Sequence, residues 1–124
     1  MGNFYVANFS NGNVIKLTST GSASLFATIP GGNNGHITYV NGSLFVVARG
    51  ANQIYQLELD GSFQVIAGSG IRGRDDGAAL SATFSLPNDL AASPTGDTLY
   101  VNDVVPFSGN NISPCVIREV ILVK

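Results

Sequence analysis

The single histidine of the chain, His36, is the side chain best suited to acid–base chemistry, because an imidazole changes its charge near neutral pH. At the mouth of a cavity it would act as a general base, which takes a proton from a reacting group. The other interpretation is that His36 simply packs at the end of a loop. The chain offers it no recognisable Ser/His/Asp context, since it contains no Gly-x-Ser-x-Gly motif.

A second group of candidate residues combines two arginines and two aspartates within five positions. These residues are Arg72, Arg74, Asp75 and Asp76. They form either a solvated turn with local ion pairs or a contact surface for a partner protein. The preceding segment, Gly68–Gly73, has the Gly-x-Gly-x-x-Gly spacing of dinucleotide-binding loops, but no helix is predicted after it. The pattern therefore does not indicate a dinucleotide site.

Composition excludes several classes of partner. The chain has 124 residues, of which six are basic and eight acidic, for a net charge of −2, so it lacks the positive surface that nucleic acid requires. No apolar run approaches the roughly 20 residues of a membrane span. The N-terminal residues show no signal segment, which predicts a cytoplasmic protein, or one whose export signal has been removed. The single cysteine, Cys115, excludes an internal disulfide and a cysteine-based zinc site, and its apolar neighbours predict an unreactive thiol.

An internal repeat with a period of 40 residues indicates which elements position these side chains. Gly2–Val6 returns as Gly42–Val46, and Val14–Leu17 returns as Ile54–Leu57. The repeated segments are short, rich in β-branched and aromatic residues, and bounded by Gly, Asn and Asp, which predicts strands joined by tight turns. A period near 40 in such a chain is typical of β-propeller blades, each of which is a four-stranded sheet.

The pattern therefore predicts an all-β chain of ten antiparallel strands, equal to about two and a half blades. The blades are expected at residues 1–30, 31–68 and 84–124, with a loop inserted at 69–83. If the strands of a blade are lettered A to D outward from the central channel, the order along the chain is B, C, D, then A, B, C, D, then A, B, C.

Such an arc does not close a ring by itself, because its two ends leave unpaired strand edges and uncovered sheet faces. Burial of these ends against a second copy would remove the exposed edges. We therefore expect a homo-oligomer, most simply a dimer that contributes about six blades. The alternative is that the chain is a fragment of a longer propeller protein without independent function.

Residues 67–120 resemble an NHL repeat, whose blocks run Asp-Gly, Ala-x-Phe, a proline-led inner strand, Leu-Tyr-Val-x-Asp and Ile-Arg. The matching segments here are Asp76-Gly77, Ala82-Thr83-Phe84, Leu86-Pro-Asn-Asp-Leu-Ala91, Leu99-Tyr-Val-Asn-Asp103 and Ile117-Arg118. The segment Leu86–Gly96 also looks like the gluconolactonase and paraoxonase type of six-bladed propeller. Both resemblances imply the propeller architecture and leave the chemistry open.

The resemblance to lactonase-type propellers implies a Ca²⁺ ion in the central channel, held by oxygen ligands from the starts of inner strands. The matching residues are Asn88 and Asp89, with Asp103 behind them, and His36 is the candidate base. Calcium takes six to eight oxygens, so one chain falls short, and a symmetric dimer would double the set. Asp89 has a simpler interpretation as a carboxylate that caps a turn. In the repeat, His36 occupies the position of Asp89.

Two functions remain open at this point. The first is a binding or interaction platform that uses the loops at 31–36, 68–86 and 104–114, since long loops on a rigid scaffold are where function concentrates. The second is a calcium-dependent hydrolase of the lactonase type. The sequence does not indicate which rim of the propeller is used.

Overall fold

The chain folds into ten β-strands in a computed structural model that describes residues 2–104 and 115–122. The strands are β1 (Phe4–Ala7), β2 (Asn13–Leu17), β3 (Ala23–Thr28), β4 (Asn34–Val40), β5 (Ser43–Ala48), β6 (Gln53–Leu57), β7 (Phe63–Ala67), β8 (Asp89–Ala92), β9 (Thr98–Val104) and β10 (Cys115–Ile121). They form three antiparallel sheets, with the orders β1-β2-β3, β4-β5-β6-β7 and β8-β9-β10. We call these sheets blades 1, 2 and 3. The all-β prediction and the predicted strand order are both confirmed.

Turn chemistry sets the hairpins. Asn41 and Gly42 both have positive φ angles, of 51° and 88°, which is the backbone of a two-residue type I′ turn. This turn joins β4 to β5 directly, as the Asn-Gly pair predicts. The described residues contain one short 3-10 helix, Arg49–Ala51, which the sequence did not predict. In this part of the chain no helix has the length and apolar character of a membrane span.

Two hydrophobic cores lie between the blades, and β5 contributes to both because its side chains alternate between the faces of the sheet. Leu44 and Val46 face blade 1, where they pack with Val14 and Ile29. Phe45 and Val47 face the other way, into a core shared with blade 3. The blade 3 residues in that core are Leu90, Leu99, Val101 and Val120, joined by Phe84 of the loop before it. The middle blade is therefore buried on both faces.

The connection between blades 2 and 3, residues 68–88, is an ordered loop with its own backbone hydrogen bonds. The N–H of Gly68 donates to the carbonyl of Ala79 at 2.8 Å, and the N–H of Thr83 donates to the carbonyl of Asp75 at 2.9 Å. The carbonyl of Ala78 accepts the N–H of Ala82 at 2.9 Å, which closes a single turn within the loop. The loop therefore forms a defined surface.

Candidate functional site

The strand directions place the connections alternately on two rims. The loop rim carries residues 8–12, 29–33, 49–52 and 68–88, and the turn rim carries residues 18–22, 41–42, 58–62 and 93–97. Two of the predicted functional loops, 31–36 and 68–86, are on the loop rim. Most of the third, 104–114, lies outside the described residues. The inner strands β4 and β8 also begin at the loop rim, so their first side chains lie beside these loops.

His36 and Asp89 meet across the two inner strands at the loop rim. Nδ1 of His36 lies 2.9 Å from Oδ1 of Asp89, and both side chains are about half exposed. The repeat places these two residues at equivalent positions, so the contact joins neighbouring blades through the same site in each. When Nδ1–H donates to the carboxylate, a neutral imidazole keeps Nε2 as a hydrogen-bond acceptor. The pair therefore presents an oriented hydrogen-bond acceptor at the loop rim.

Close backbone contact holds the two strands in this arrangement. A Cβ atom at Gly35 would collide with the carbonyl oxygen of Asn88, so the approach of β4 to β8 requires glycine at this position. The N–H of Asn88 donates to the carbonyl of Asn102 at 3.1 Å, and Oδ1 of Asp89 accepts the N–H of Leu90 at 2.9 Å. These bonds fix the start of β8 and, with it, the carboxylate of Asp89.

The segment just before β8 is held in a strained conformation. Leu86 has a φ of 56°, which is unfavourable for a residue with a bulky side chain. Its N–H donates to Oδ1 of Asn52 at 2.8 Å, and the preceding N–H, of Ser85, donates to Asp103 at 2.9 Å. Such strain persists where surrounding contacts over-determine the backbone, and it is common next to functional sites. Asn52 and Asp103 thus support the entry to the His36–Asp89 pair.

The structure separates Asp103 from the other two predicted calcium ligands. Asp89 lies opposite Asn102 in the sheet, so the next residue, Asp103, points to the other face. There its carboxylate is fully buried and accepts both the N–H of Ser85 and Nη1 of Arg118, the latter at 3.1 Å. Asn88 and Asp89 remain exposed at the loop rim. Across residues 2–104 and 115–122, no three His, Cys, Asp or Glu side chains group together in a way that would hold a metal ion.

The four charged residues of the 68–86 loop separate into different roles. Arg72 donates through Nε to Oγ of Ser85 at 2.9 Å, while Arg74 is exposed. Asp76 forms an ion pair with Nη2 of Arg118 at 2.7 Å. The backbone carbonyl of Asp75 accepts a hydrogen bond from the same nitrogen at 2.9 Å. The ion pair of the loop is therefore made with β10, and the expectation of local pairs within the loop is not met.

Arg118 is the important residue that sequence reasoning missed. Its side chain is largely buried, it lies 4.5 Å from the ring centre of Phe84, and it donates to the carbonyl of Thr83 as well as to Asp76 and Asp103. One guanidinium thus fastens the inserted loop to blade 3. The signal was present in the sequence, because Val116, Arg118 and Val120 alternate along a strand. A charge on the apolar face of a strand requires buried partners.

Three described groups away from the His36–Asp89 pair have displaced pKa values. Burial in the core between blades 1 and 2 raises the pKa of Tyr55. On the turn rim, the hydroxyl and N–H of Ser62 lower the pKa of Asp60. The hydroxyls of Ser93 and its neighbours likewise lower the pKa of Asp97. All three shifts come from packing or turn formation, so they belong to the scaffold.

A scan of protein-family models and a search of curated protein sequences both found no match. Solved structures do match. A Bacteroides thetaiotaomicron protein of unknown function aligns with a TM-score of 0.67 and 22% identity, over 81% of this chain and 27% of that one. An auxiliary nutrient binding protein from the same organism aligns with a TM-score of 0.65 and 15% identity, over 85% of this chain and 31% of that one.

Virginiamycin B lyase from Staphylococcus aureus aligns over 98% of this chain and 39% of its own, with a TM-score of 0.57 and 18% identity. The chain therefore spans between about a quarter and two fifths of these structures. All three are β-propellers. The comparison confirms that the three sheets are propeller blades forming part of a ring, and at these identities it shows the fold alone.

Proposed function

We propose that this chain is a β-propeller module that binds a partner through its loop rim, and that self-association completes its ring. The observation that carries the proposal is the shared location of the longest described connection, residues 68–88, and the His36–Asp89 pair. Function concentrates on loops held by a rigid scaffold. Here the loop is fastened by Arg118 and the pair by the close contact of β4 and β8, so both are preorganised.

A photo-crosslinking experiment with matched positions tests the choice of rim. Ile71 on the loop rim and Leu59 on the turn rim are both exposed apolar residues, so a benzophenone side chain at either position leaves the fold intact. The proposal expects specific adducts in an extract of the source cells from position 71 and none from position 59. Equal labelling at the two positions, or adducts from position 59 alone, would contradict it.

Self-association is supported by the two end faces of the arc. Phe4, Val6 and Leu25 are exposed on the open face of blade 1, and Ile117 and Ile121 are exposed on the open face of blade 3. A second copy would cover these apolar side chains. Light scattering coupled to size exclusion measures the mass directly. A discrete dimer that persists on dilution and dissociates in Val6→Glu supports the proposal, whereas a monomer at every concentration contradicts it.

A second candidate function is acid–base catalysis of the lactonase type, favoured by the geometry of the His36–Asp89 pair. Asp89 would orient the ring of His36, and Nε2 would accept a proton from an attacking water molecule. The test is hydrolysis of a panel of simple lactones by the wild type and by His36→Gln. Turnover that persists at the wild-type rate in His36→Gln, or that is absent from the wild type, argues against this function.

Calcium belongs to the same candidate and stays a prediction. Asp103 is committed to Arg118 and Ser85, so this chain offers the side-chain oxygens of Asn88 and Asp89, fewer than the six to eight that calcium takes. A second copy would have to supply further ligands. Melting temperatures measured in 1 mM CaCl2 and in excess EDTA decide the point, because a bound ion raises the first value and an absent one leaves the two equal.

A further inference from the structure

We propose that the guanidinium of Arg72 is a carboxylate-recognition site, and that the partner of the loop rim presents an acidic peptide segment to it. This site rests on the loop-rim binding proposed above and supplies the chemistry by which the partner is recognised. Arg72 lies in the loop between blades 2 and 3, both of which are present in the described structure. The site is therefore independent of what covers the end blades.

The backbone around Arg72 is fixed by the segment that returns beside it. Arg72 forms an isolated parallel bridge with Phe84, and the N–H of Gly73 donates to the carbonyl of Phe84 at 3.0 Å. A Cβ atom at Gly73 would lie 2.6 Å from Oγ1 of Thr83, so the loop packs closely behind the arginine. The side chain of Arg72 is exposed, but it starts from a rigid base.

The guanidinium of Arg72 is held at one end and open at the other. Its Nε donates to Oγ of Ser85 at 2.9 Å. Ser85 is fully buried, and its own N–H donates to Asp103, so the position of this acceptor is fixed. Nη1 and Nη2 of Arg72 make no hydrogen bond to any of residues 2–104 and 115–122. Two N–H donors in this arrangement match the two oxygens of a carboxylate, and their orientation exists before binding.

Cations without carboxylate partners are concentrated on the loop rim. In the described part of the chain, three arginines of its connections form no ion pair, namely Arg49, Arg72 and Arg74. Of the carboxylates beside them, Asp76 and Asp89 are already paired with cations, whereas Asp75 is not. The charge that remains available on this rim is therefore mainly positive, which favours an acidic partner.

The chain itself is a poor source of the acidic group. All eight of its acidic residues lie within the described part, and six of them already bond to partners in their own chain. The six are Glu58, Asp60, Asp76, Asp89, Asp97 and Asp103. Two copies that complete one ring would carry their loop rims on the same side, so neither copy could reach the rim of the other. The acidic segment therefore belongs to a different protein.

The residue before the arginine adds an apolar contact. Ile71 is 69% exposed, so it can be covered by a partner without any change in the loop. A segment that carries an apolar residue next to its acidic one would cover Ile71 while its carboxylate meets Arg72. The expected partner segment is thus acidic with interspersed apolar residues.

The probe is a capped octapeptide that repeats Leu-Glu-Gly-Glu, and the control peptide has glutamine in place of glutamate. Backbone amide NMR signals of the 68–88 loop report binding to the intact chain at physiological ionic strength. Saturable binding in the millimolar range is expected, because exposed ion pairs each contribute little. The glutamine peptide is expected to bind about tenfold more weakly, since it lacks the charge that the guanidinium pairs with.

A matched pair of variants separates the site from its surroundings. Arg72→Gln and Arg74→Gln remove one charge each from the same loop, but only Arg72 is held by Ser85. Arg72→Gln is expected to weaken binding of the glutamate peptide about tenfold, and Arg74→Gln less than about threefold, because salt screens charges that make no direct contact. Arg72→Lys keeps the charge and loses the two parallel donors, so it is expected to weaken binding about fivefold.

Four results would overturn the assignment. They are the absence of saturable binding, equal binding of the two peptides, equal losses in the two glutamine variants, and equal affinity for succinate, which would indicate a site for small acids. A mass above that of a dimer in light scattering, reduced in Arg72→Gln, would also overturn it, since a second copy would then fill the site.

Crosslinking from position 71 keeps this outcome separate from the loop-rim proposal. If the peptide fails to bind while specific adducts form from position 71, the carboxylate site falls and the loop-rim proposal stands. An absence of adducts from position 71 would instead count against the loop-rim proposal itself.

Discussion

Among the residues that the structure describes, blade 2 has a neighbouring blade on both faces and blades 1 and 3 each have one on a single face, and the repeat allows the same positions to be compared. Leu44 of blade 2 is 2% exposed, and Phe4, its equivalent in blade 1, is 62% exposed. Ile54 of blade 2 is fully buried, and Ile117, its equivalent in blade 3, is 64% exposed. The residue types are the same or similar, so the neighbouring blade, and not the residue, decides burial.

This comparison shows what a repeat sequence encodes. A blade carries apolar side chains on both faces whether or not a neighbour is present, because each copy repeats the pattern of the others. The stability of such an array comes largely from the interfaces between neighbours. The exposed faces of blades 1 and 3 thus carry the same apolar pattern as the buried faces of blade 2, and each prediction below separates the two kinds of face.

The largest effect is expected where blade 3 departs from blade 2. Arg118 and Asp103 stand at the positions of Tyr55 and Ala48, so a buried ion pair replaces an apolar contact. Arg118→Ala leaves the carboxylate of Asp103 buried without its cation, and it should lower the free energy of unfolding by about 3–5 kcal/mol. Urea denaturation followed by circular dichroism measures the loss.

The control places the blade 2 residues into blade 3. The double variant Arg118→Tyr with Asp103→Ala removes the unpaired charge, so it should be more stable than Arg118→Ala alone. It should stay below the wild type, because the bonds from Arg118 to Thr83, Asp75 and Asp76 are lost as well. The single variants Arg118→Tyr and Asp103→Ala complete the comparison. If their two losses in the free energy of unfolding add up to the loss of the double variant, the pair is not coupled.

A matched isoleucine pair tests the neighbour effect directly. Ile54→Ala opens a cavity between blades 2 and 3 and should cost about 2–5 kcal/mol. Ile117→Ala, at the same repeat position, should change the stability of the single chain by about 0.5 kcal/mol or less, because the side chain already contacts water. Both values come from urea denaturation at low protein concentration, where association does not contribute.

Concentration dependence then connects this pair to assembly. If a second copy covers blade 3, Ile117→Ala should lower the melting temperature at high protein concentration and not at low concentration. Val46→Ala and Val6→Ala provide an independent matched pair. These two residues share one repeat position in blades 2 and 1, on the sheet face opposite to that of Ile54 and Ile117. Equal destabilisation by the buried and the exposed member of either pair would mean that the sheets pack differently from the arrangement described here.

The strand pattern could be predicted because local chemistry and the 40-residue repeat point to the same answer. Turns such as Asn41–Gly42 and alternating apolar runs fix the strands and their order, and they require no knowledge of tertiary contacts. The 3-10 helix Arg49–Ala51 was missed, since three residues between two strands carry no periodic signal. The repeat also placed His36 and Asp89 at equivalent positions, although it gave no sign that they touch.

The rest of the candidate site depends on contacts between residues far apart in the chain. Asp103 was grouped with Asn88 and Asp89 by its position after a strand, but the alternation of side chains sends it to the opposite face, where it meets Arg118. The support of Leu86 by Asn52 spans 34 residues and leaves no local pattern. Such contacts form only when the inserted loop folds back on blade 3. Because neither the loop nor these contacts recur in the other blades, the 40-residue repeat gives no signal for them.

The His36–Asp89 pair, which joins blade 2 to blade 3, should contribute little to stability. His36 and Asp89 are about half exposed, so Asp89→Asn should change the free energy of unfolding by about 0.5 kcal/mol or less. NMR chemical shifts of the His36 ring nitrogens, compared between the wild type and Asp89→Asn, separate position from stability, because Nδ1 loses its charged hydrogen-bond partner in the variant. A large stability loss in Asp89→Asn would mean that the pair is part of the scaffold.

The smallest effect is expected at acid pH on the turn rim, where blades 2 and 3 use the same device. Ser62 lowers the pKa of Asp60, and Ser93 lowers that of Asp97, below the ordinary value of 3.8. Because the folded pKa lies below the unfolded one, the stabilisation is present above pH 3.8 and is lost as the pH falls through the folded value. Asp60→Asn and Asp97→Asn should each flatten the fall in melting temperature below pH 3.8. Both carboxylates are exposed, so the two variants should act equally, and a larger effect for Asp97→Asn would show that the end blade loosens first in acid.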